Sequence, residues 1–459
     1  MGRRFDRLSA TDLTNLAVEA ADTPAHIGAL MVVDGGALLD ADGRLRMTIV
    51  RAGIERRLDR VPKLRKVVYR PGLLAGRSLW VDDPAFAIDR HVDVAEVAAP
   101  GGEEQLLRLT ERLMVPLLSR SRPLWRLWFV TGLPSGRVAM IIKLHHAVAD
   151  GLAAVQMLRS LLDLPEPADT APGGWRAAPP PGWSALVGDN LLERSAAVAR
   201  TARRLADPGA LRRAGGSVPA SWRGIARSWG APRTSLNVPI GPRRRFAVVR
   251  LDLAAVKETA HAYGGKVNDV ILNLVAGGLR ALLVARGESV DGLTLRVAVA
   301  VSTRSPTEKG QEGNRAGGIV VRLPLGDRHP GARQRVIAAE SRRAKSEQFP
   351  GGEQCFIVFL ARSGLMRRFT RHQHLTNVIE SNVVGWPEPI TVLGAPVLDV
   401  VPVSLLAGNL TLSFLALSYA GRLTITVCAD ADRHPDLPVL LAAMRTDWTV
   451  LDGPIGFPL

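Results

Sequence analysis

Two adjacent histidines followed by an aspartate and a glycine are the residues of this sequence best suited to chemistry. They are His145, His146, Asp150 and Gly151, in the segment HHAVADG. Histidine suits general-base chemistry because its reference pKa of about 6.5 lies near neutral pH. A neutral imidazole can take the proton of an alcohol or amine as that group attacks a thioester carbonyl, without a serine or cysteine nucleophile. The pattern therefore favours acyl transfer with one histidine as the base.

The surrounding residues place this motif on a turn between a strand and a helix. Val138–Ile142 is an apolar run typical of a buried strand. Apolar residues then recur at spacings of three and four, at Leu152, Val155, Leu158 and Leu162. A helix with one apolar face is therefore predicted to begin near Asp150. Neighbouring residues on such a turn point in different directions, so only one imidazole should face a cleft. Asp150 is expected to orient the loop through an arginine or backbone amides, and Gly151 to permit a close approach.

The same motif also permits a purely structural role and, less readily, metal binding. A core pair of histidines beside an N-capping aspartate would have the same spacing. A metal site is less favoured, because two neighbouring histidines rarely reach one ion and nothing nearby offers a third ligand. His372 and His374 also lack further ligands. We therefore predict no metal site.

The HHxxxDG pattern is the signature of the CoA-dependent acyltransferase superfamily, and this chain resembles its bacterial wax ester synthase/diacylglycerol acyltransferase branch. The opening segment LSATDLTNLAVEAADTPAHIGAL (Leu8–Leu30) and RPLW (Arg122–Trp125) are similar to family elements. Further similar blocks are APRTSLNVPIGPRRRFA from Ala231, VNDVILNLVAGGLR from Val267, GNRAGG from Gly313 and SNVVGWPEPITVLGAPV from Ser381. The resemblance therefore runs from end to end.

The resemblance implies an α/β fold in which two similar chloramphenicol-acetyltransferase-like domains, with mixed sheets, pack around a central tunnel. Alternating strand and helix patterns in both halves fit this architecture. Prolines and glycines cluster over 165–181, which is typical of a linker. We expect an N-terminal acyltransferase domain over 1–164, a Pro-rich linker and basic helical connector over 165–245, and a C-terminal acyltransferase-like domain over 246–459. The HH motif would lie where the two domains meet.

By the same resemblance, His146 is the general base, His145 and Asp150 organise it, and Gly151 provides the turn. Asn268 and Asp269 have two interpretations. A helix follows them, so Asn268 suits an N-cap and Asp269 the positive end of the helix dipole. The resemblance adds that this pair borders the reaction site, where Asn268 could donate to the developing oxyanion or hold the tunnel wall.

Three more residues are candidates for the substrate path. Trp125 of RPLW is expected to pack beneath the HH loop more than to take part in chemistry. Ser381 and Asn382 could line the acyl path, or could cap a turn before Gly385. Asp269 belongs with these residues if the ND pair borders the substrate.

The charge of the chain indicates an anionic partner. The formal net charge is +16, and twelve arginines lie from Arg194 to Arg245 against one acid, Asp207. Lipid headgroups, CoA phosphates or nucleic acid could be attracted. Nucleic acid is disfavoured because no zinc spacing, RNP-like strand or basic zipper accompanies the charge. Trp183–Leu205 mixes arginines with apolar residues, which fits an amphipathic helix on a membrane or a solvated connecting helix.

Several features favour a cytoplasmic setting. The N-terminus shows no apolar signal segment. Cys355 and Cys428 each lie beside an apolar run, which favours reduced core thiols over a disulfide. The uncharged stretch Val400–Gly421 is long enough to span a bilayer, but its polar residues alternate with apolar ones. With Ala420–Gly421 as a turn, we interpret it as part of a β-hairpin.

The function that the resemblance implies is an acyl-CoA-dependent O-acyltransferase that forms neutral lipid. Its product would be triacylglycerol from diacylglycerol, wax ester from a long-chain alcohol, or both. The partners would be long-chain acyl-CoA, the acceptor lipid, and a membrane or lipid-droplet surface contacted peripherally. No cofactor is expected beyond acyl-CoA as the donor. The alternatives are a superfamily acyltransferase with another acceptor, and a non-catalytic lipid-binding protein, against which the intact HHAVADG motif argues.

Overall fold

Two six-stranded sheets form the framework of the protein. The computed structural model describes residues 5–163, 175–206, 230–302, 316–346 and 365–453. The strands of the first half are β1 (His26–Asp34), β2 (Lys66–Tyr69), β3 (Leu79–Asp82), β4 (Val92–Glu96), β5 (Trp125–Thr131) and β6 (Arg137–His145). The strands of the second half are β7 (Arg244–Asp252), β8 (Thr294–Ser302), β9 (Ala316–Pro324), β10 (Val378–Val384), β11 (Thr391–Val392), β12 (Ala395–Val403), β13 (Leu412–Tyr419) and β14 (Arg422–Asp430).

Helices cover the sheets and connect their strands. Those of the first half are α1 (Ala10–Val18), α2 (Met47–Arg57), α3 (Glu103–Met114), α4 (Gly151–Leu161) and α5 (Trp183–Ala206). Those of the second half are α6 (Leu253–Ala262), α7 (Val267–Ala285), α8 (Pro330–Ser346), α9 (Met366–Arg371) and α10 (Leu437–Asp452). The helix predicted over Trp183–Leu205 is confirmed by α5. Arg212, Arg213, Arg223 and Arg227 of the predicted basic connector lie outside the described residues.

The two sheets have similar, mixed construction. The first has the strand order β11-β12-β1-β6-β5-β4 and the second β7-β14-β13-β10-β8-β9. β4 runs parallel to β5, and β10 runs parallel to both β8 and β13, while the other neighbours are antiparallel. β2 and β3 form a separate hairpin. This arrangement confirms the predicted α/β fold with two similar halves.

One segment of the predicted C-terminal domain belongs to the other sheet. β12 pairs antiparallel with β1, so that Val403 lies opposite Gly28 and Val400 opposite Met31. The β11–β12 segment, which lies within the expected C-terminal domain of 246–459, is therefore part of the N-terminal sheet. The alternating pattern of β12 fits either sheet, because strand patterning specifies a buried face and not the neighbouring strand. The predicted boundary at 164 adjoins residues 164–174, which are outside the described part of the chain.

The stretch Val400–Gly421 is not a membrane span. It contains the end of β12 and all of β13, and β13 pairs with β14 across a turn at Ala420 and Gly421, both with positive φ. The predicted hairpin is thereby confirmed. Among the described residues, helix α7 has the length and apolarity to cross a membrane, but 72% of its apolar window is buried, as in a core helix. Cys428 is buried in β14, and Cys355 lies outside the described residues.

Glycine lets three helices of the second half pack closely. Gly277 of α7 faces Asp447 of α10, and a Cβ atom at Gly277 would overlap the Asp447 carboxylate. That carboxylate pairs with Arg333 of α8, whose Nε also donates to Asn273 Oδ1 of α7 at 2.6 Å. The missing side chain of Gly277 therefore makes room for the buried ion pair that joins α7, α8 and α10.

We predict that Gly277→Ala destabilises the protein by about 1–3 kcal/mol, because an added methyl group must displace the ion pair. Gly188→Ala in α5 is the control, because nothing lies within 4 Å of its Cβ position. There the replacement should be neutral or stabilising by up to about 1 kcal/mol. Urea unfolding measures both effects. Equal midpoints for Gly277→Ala and the wild type would contradict the packing argument.

Candidate active site

The backbone of the HH motif is fixed by flanking segments. His145 is the last residue of β6, and its backbone N–H donates to the Leu124 carbonyl at 3.0 Å. The N–H of His146 donates to the Ala25 carbonyl at 2.8 Å. The turn then closes with a 2.8 Å hydrogen bond from Val148 N–H to the His145 carbonyl. The motif therefore lies at a strand end, as predicted.

The ring of His145 is buried and engaged on both sides. Its Nδ1 accepts the backbone N–H of Ala147 at 2.9 Å, so in the neutral ring the proton is on Nε2. Nε2 lies 3.2 Å from Oε1 of Glu19, which is the residue that ends α1. His145 thus holds the turn and faces inward, and its task of organising the base stays a prediction.

Glu19 joins several groups beneath the motif. Its Oε1 also lies 3.4 Å from Nε2 of His26, and Arg120 donates to its Oε2 at 3.0 Å. Burial alone would raise the pKa of Glu19, but the side-chain contacts with His145, His26 and Arg120 hold that pKa well below its usual value. Glu19 is therefore an ionised carboxylate that faces the His145 proton.

His146 is half-buried as a residue and is held from the same helix. The side-chain amide of Asn15 lies 3.1 Å from Nδ1 of His146, and its nitrogen donates to the His146 backbone carbonyl at 3.3 Å. Burial lowers the pKa of His146, whereas its own backbone carbonyl and the charge of Asp150 act in the opposite direction. A lowered pKa keeps the imidazole neutral at pH 7, the state that a general base requires.

One helix therefore positions both histidines. Asn15 and Glu19 are four residues apart, so both lie on one face of the α1 end. Asn15 contacts His146 and Glu19 contacts His145. Sequence reasoning missed both residues. The available signal was two polar side chains at helical spacing between apolar ones, within the opening block that resembles the family.

Asp150 and Gly151 start the following helix. Asp150 is the N-cap of α4, and its Oδ1 accepts the Ala153 N–H at 2.8 Å. The predicted role of Asp150 toward backbone amides agrees with this contact. A Cβ atom at Gly151 would lie 3.3 Å from a methyl group of Val383 in β10. Gly151 thus permits the close approach of the second half to the motif.

Trp125 is a packing residue of the first sheet. It is fully buried, its Nε1 donates to the Leu64 carbonyl at 2.7 Å, and its ring stacks on His91 with centroids 4.6 Å apart. Trp125 lies opposite Leu144 in the β5–β6 pair, next to the motif. These contacts favour the expected structural role beneath the HH loop.

The ND pair opens α7, but differently from the expected cap. Lys266 is the N-cap, and Asp269 Oδ2 accepts its backbone N–H at 2.7 Å. The assignment of Asn268 as the N-cap is therefore wrong, because capping by Asp269 starts the helix at Val267. Asn268 instead donates to Oε2 of Glu380 at 3.3 Å. Its predicted catalytic role remains a prediction.

Strand β10 separates two environments. Successive side chains of a strand point to opposite faces. Val378 belongs to the core of the second half, while Val383 belongs to the core that contains the HH turn. Glu380 and Asn382 share the face of Val378, and Ser381 shares the face of Val383. Of the two β10 candidates, Ser381 is thus on the side of the motif.

A cavity of about 920 Å³ lies on the side of α1 that faces the β2–β3 hairpin. Leu13, Leu16 and Val68 give it apolar walls, and Glu19, Arg70 and Arg120 give it polar ones. Glu19, whose carboxylate contacts His145, is one of the residues that line it. In the described part of the chain, no group of three His, Cys, Asp or Glu side chains is placed to hold a metal.

Comparison with solved structures shows the same fold of two mixed sheets. The wax ester synthase/diacylglycerol acyltransferase from Marinobacter aquaeolei VT8 superposes with a TM-score of 0.67 at 22% identity, over 97% of this chain and 98% of that one. The starter condensation domain of rhizomide synthetase gives a TM-score of 0.60 at 14% identity, over 98% and 94% of the two chains.

Family models match both halves of the sequence. Residues 8–271 match the wax ester synthase/diacylglycerol acyltransferase catalytic domain, and residues 312–451 match the C-terminal domain of the same family. A Mycobacterium tuberculosis H37Rv protein named probable diacylglycerol O-acyltransferase tgs1 is 31% identical over 448 residues, which cover 90% of this chain and 89% of the relative. The chain belongs to the wax ester synthase/diacylglycerol acyltransferase family.

We predict that Glu19→Gln lowers kcat by at least about tenfold while KM changes little, because small displacements of catalytic groups are costly. The amide cannot offer His145 and His26 the charge that the carboxylate provides. Steady-state kinetics with saturating donor measures the effect. Glu111→Gln is the matched control. Glu111 accepts the Phe246 N–H at a distance of 2.7 Å, and it does not contact the HH motif. A Glu19→Gln enzyme with wild-type kcat would exclude a positioning role.

A second prediction concerns Glu380. Burial of this side chain raises its pKa to about 8. Its folded pKa exceeds the unfolded one, so the protein loses stability as the pH rises from about 4.5 to about 8. Glu380→Gln, which resembles the protonated acid, should remove this loss and stabilise the protein at pH 8 more than at pH 5. Unfolding free energies at the two pH values test it. Equal effects at both would show that Glu380 is not protonated in the folded protein.

Proposed function

We propose that this chain transfers the acyl group of a long-chain acyl-CoA to the hydroxyl group of diacylglycerol or a long-chain alcohol, with His146 as the general base. The observation that carries the proposal is the α1 clamp, in which Asn15 holds His146 and Glu19 holds His145. A positioned, neutral imidazole next to a fixed, buried one serves proton transfer, which a lipid-coating protein would not need. Family membership supports the acyl-transfer reaction.

The imidazole of His146 has one nitrogen for each of two tasks. The backbone carbonyl of His146 is an acceptor for its own ring, and we assign the ring proton to Nδ1, so that Asn15 holds the residue through its donation to the His146 carbonyl and not through a hydrogen bond to Nδ1. With the proton on Nδ1, the lone pair of the neutral ring is on Nε2. Nε2 then takes the proton of the acceptor hydroxyl as its oxygen attacks the thioester carbonyl. The tetrahedral intermediate collapses to the ester, and His146 returns the proton to the departing CoA thiolate.

The cavity beside α1 supports the choice of a lipid substrate. Its apolar walls at Leu13, Leu16 and Val68 suit an alkyl chain, and Glu19 also lines it. We assign one substrate chain to this cavity. We propose a cytoplasmic enzyme, and because both substrates carry long chains we propose that it is peripherally bound to a membrane or a lipid droplet.

Incubation of the purified protein with radiolabelled palmitoyl-CoA, followed by separation of the lipids, tests the reaction. Diacylglycerol and hexadecanol are offered in parallel, with an alkyl amine as the rival acceptor. Labelled triacylglycerol or wax ester is the expected product. Labelled amide as the main product would assign the enzyme to another acceptor, and no labelled product from any acceptor would contradict the proposed function.

We predict that His146→Ala lowers acyl transfer by about 10² or more without unfolding the protein, because general-base catalysis contributes about 10² to 10⁴. In the wild type, kcat/KM should fall toward acid with a midpoint below the usual histidine pKa, because burial lowers the pKa of His146. His145→Ala should also lower the unfolding midpoint, since that ring is buried. Near-normal turnover of His146→Ala would show that another group is the base.

A further inference from the structure

We infer that the protein docks on an anionic phospholipid surface through an apolar surface formed by the tip of the β2–β3 hairpin and one face of α5. This docking surface consists of Leu73, Leu74, Trp183, Leu191 and Val198. The inference rests on the proposed function in one respect: an enzyme that makes neutral lipid from lipid substrates must reach them in a membrane.

The hairpin tip presents two neighbouring leucines to solvent. Leu73 is 88% exposed and Leu74 is 71% exposed. Leu74 also has a φ of 66°, which is uncommon for a residue other than glycine. A loop that exposes two leucines in a constrained backbone gains nothing in water, because their apolar area remains hydrated. It gains free energy when that area enters an apolar phase.

The exposed face of α5 continues this surface. Trp183, Leu191 and Val198 are 57%, 61% and 68% exposed. With Val187, they recur at spacings of four, four and seven, which places all four within an arc of about 80° on a helix. Tryptophan is favoured at the boundary between water and lipid because its ring is apolar and its N–H is polar. Leu191 and Val198 of the predicted amphipathic helix thus share one exposed face, whereas Leu186 is buried and Leu192 lies about 100° around the helix from Leu191.

Hydrogen bonds hold the loop and the helix together as one platform. Trp183 Nε1 donates to the Leu73 carbonyl at 3.3 Å, and Asn190 Nδ2 donates to the Leu74 carbonyl at 2.7 Å. Buried Arg7 donates to the carbonyl of Ala75 at 2.9 Å and pairs with Asp189 of α5. Little ordering is then required on docking, which favours binding.

The charge around the platform selects the partner. Arg70 and Arg194 are exposed beside the apolar residues, and Arg194 lies in the same helical arc. The neighbouring acids are occupied, because Asp189 pairs with Arg7 and Glu193 lies 3.7 Å from Arg77. Protruding apolar side chains among arginines match an anionic lipid surface.

The docking surface lies close to the cavity that we assign to a substrate chain. Tyr69 and Arg70 line the cavity beside α1, and they precede the tip leucines by only a few residues. A lipid surface at the tip would therefore lie at the cavity wall, close to the helix that holds both histidines. Substrate chains could pass from the lipid into the cavity without crossing water.

Vesicle sedimentation tests the docking surface without any substrate. The purified full chain is mixed with phosphatidylcholine vesicles, with or without phosphatidylglycerol, and the bound fraction is measured. We expect binding to the anionic vesicles that salt weakens. Leu73→Gln combined with Leu74→Asn should reduce the partition coefficient at least about tenfold, with asparagine chosen because it tolerates a positive φ. Leu191→Gln combined with Val198→Gln should act in the same direction.

The matched control is Val336→Gln combined with Val450→Gln, which removes apolar side chains that are 50% and 48% exposed on α8 and α10. It should bind vesicles like the wild type. Wild-type binding by both docking variants, or no preference of the wild type for anionic vesicles, would overturn the proposal. Light scattering gives a further test. If the wild type is a dimer that the docking variants dissociate, and if their vesicle binding is unchanged, the surface is a dimer interface and the proposal is overturned. An enzyme that makes no ester but still binds through this surface would contradict only the proposed function.

Discussion

The buried carboxylate of Glu19 is the interaction on which the arrangement of the site depends. An ionised carboxylate is costly to bury unless cations and hydrogen-bond donors surround it. Arg120 supplies a full charge and His145 supplies the N–H of its Nε2, while His26, whose Nδ1 donates to the Met114 carbonyl, brings its Nε2 to 3.4 Å from the carboxylate. The carboxylate thus ties the end of α1 to β1 and β6. Because α1 also carries Asn15, the same attachment holds His146.

A division of labour between the two histidines follows from this attachment. His145 is fully buried between Glu19 and the Ala147 N–H, so its ring faces the interior. His146 lies one residue further, past the end of the strand, where the residue is half-buried. Asp150 then turns the chain into α4 by accepting the Ala153 N–H. Each polar group of the turn therefore has a distinct partner.

The two halves of the molecule share elements at the site. β12 follows β10 in sequence, yet it pairs with β1 of the first sheet. β10 stays in the second sheet, and its Val383 packs against Gly151 at the start of α4. The chain therefore crosses between the sheets beside the HH turn, which couples the position of the turn to the packing of both halves. The docking surface includes the tip of the β2–β3 hairpin, and residues just before that tip line the cavity beside α1.

The sequence by itself determined the local structure and the chemistry. The strand before His145, the helix after Asp150, the β13–β14 hairpin and α5 all follow from periodicity, capping and turn residues, which act over a few positions. The HHxxxDG motif and its neighbouring blocks also determined the family. Tertiary structure decided which distant groups meet. The contacts of Glu19 with His145 and of Asn268 with Glu380 join residues more than a hundred positions apart, and β12 was free to pair with either sheet. No local pattern encodes such pairings, because they arise only when the elements pack.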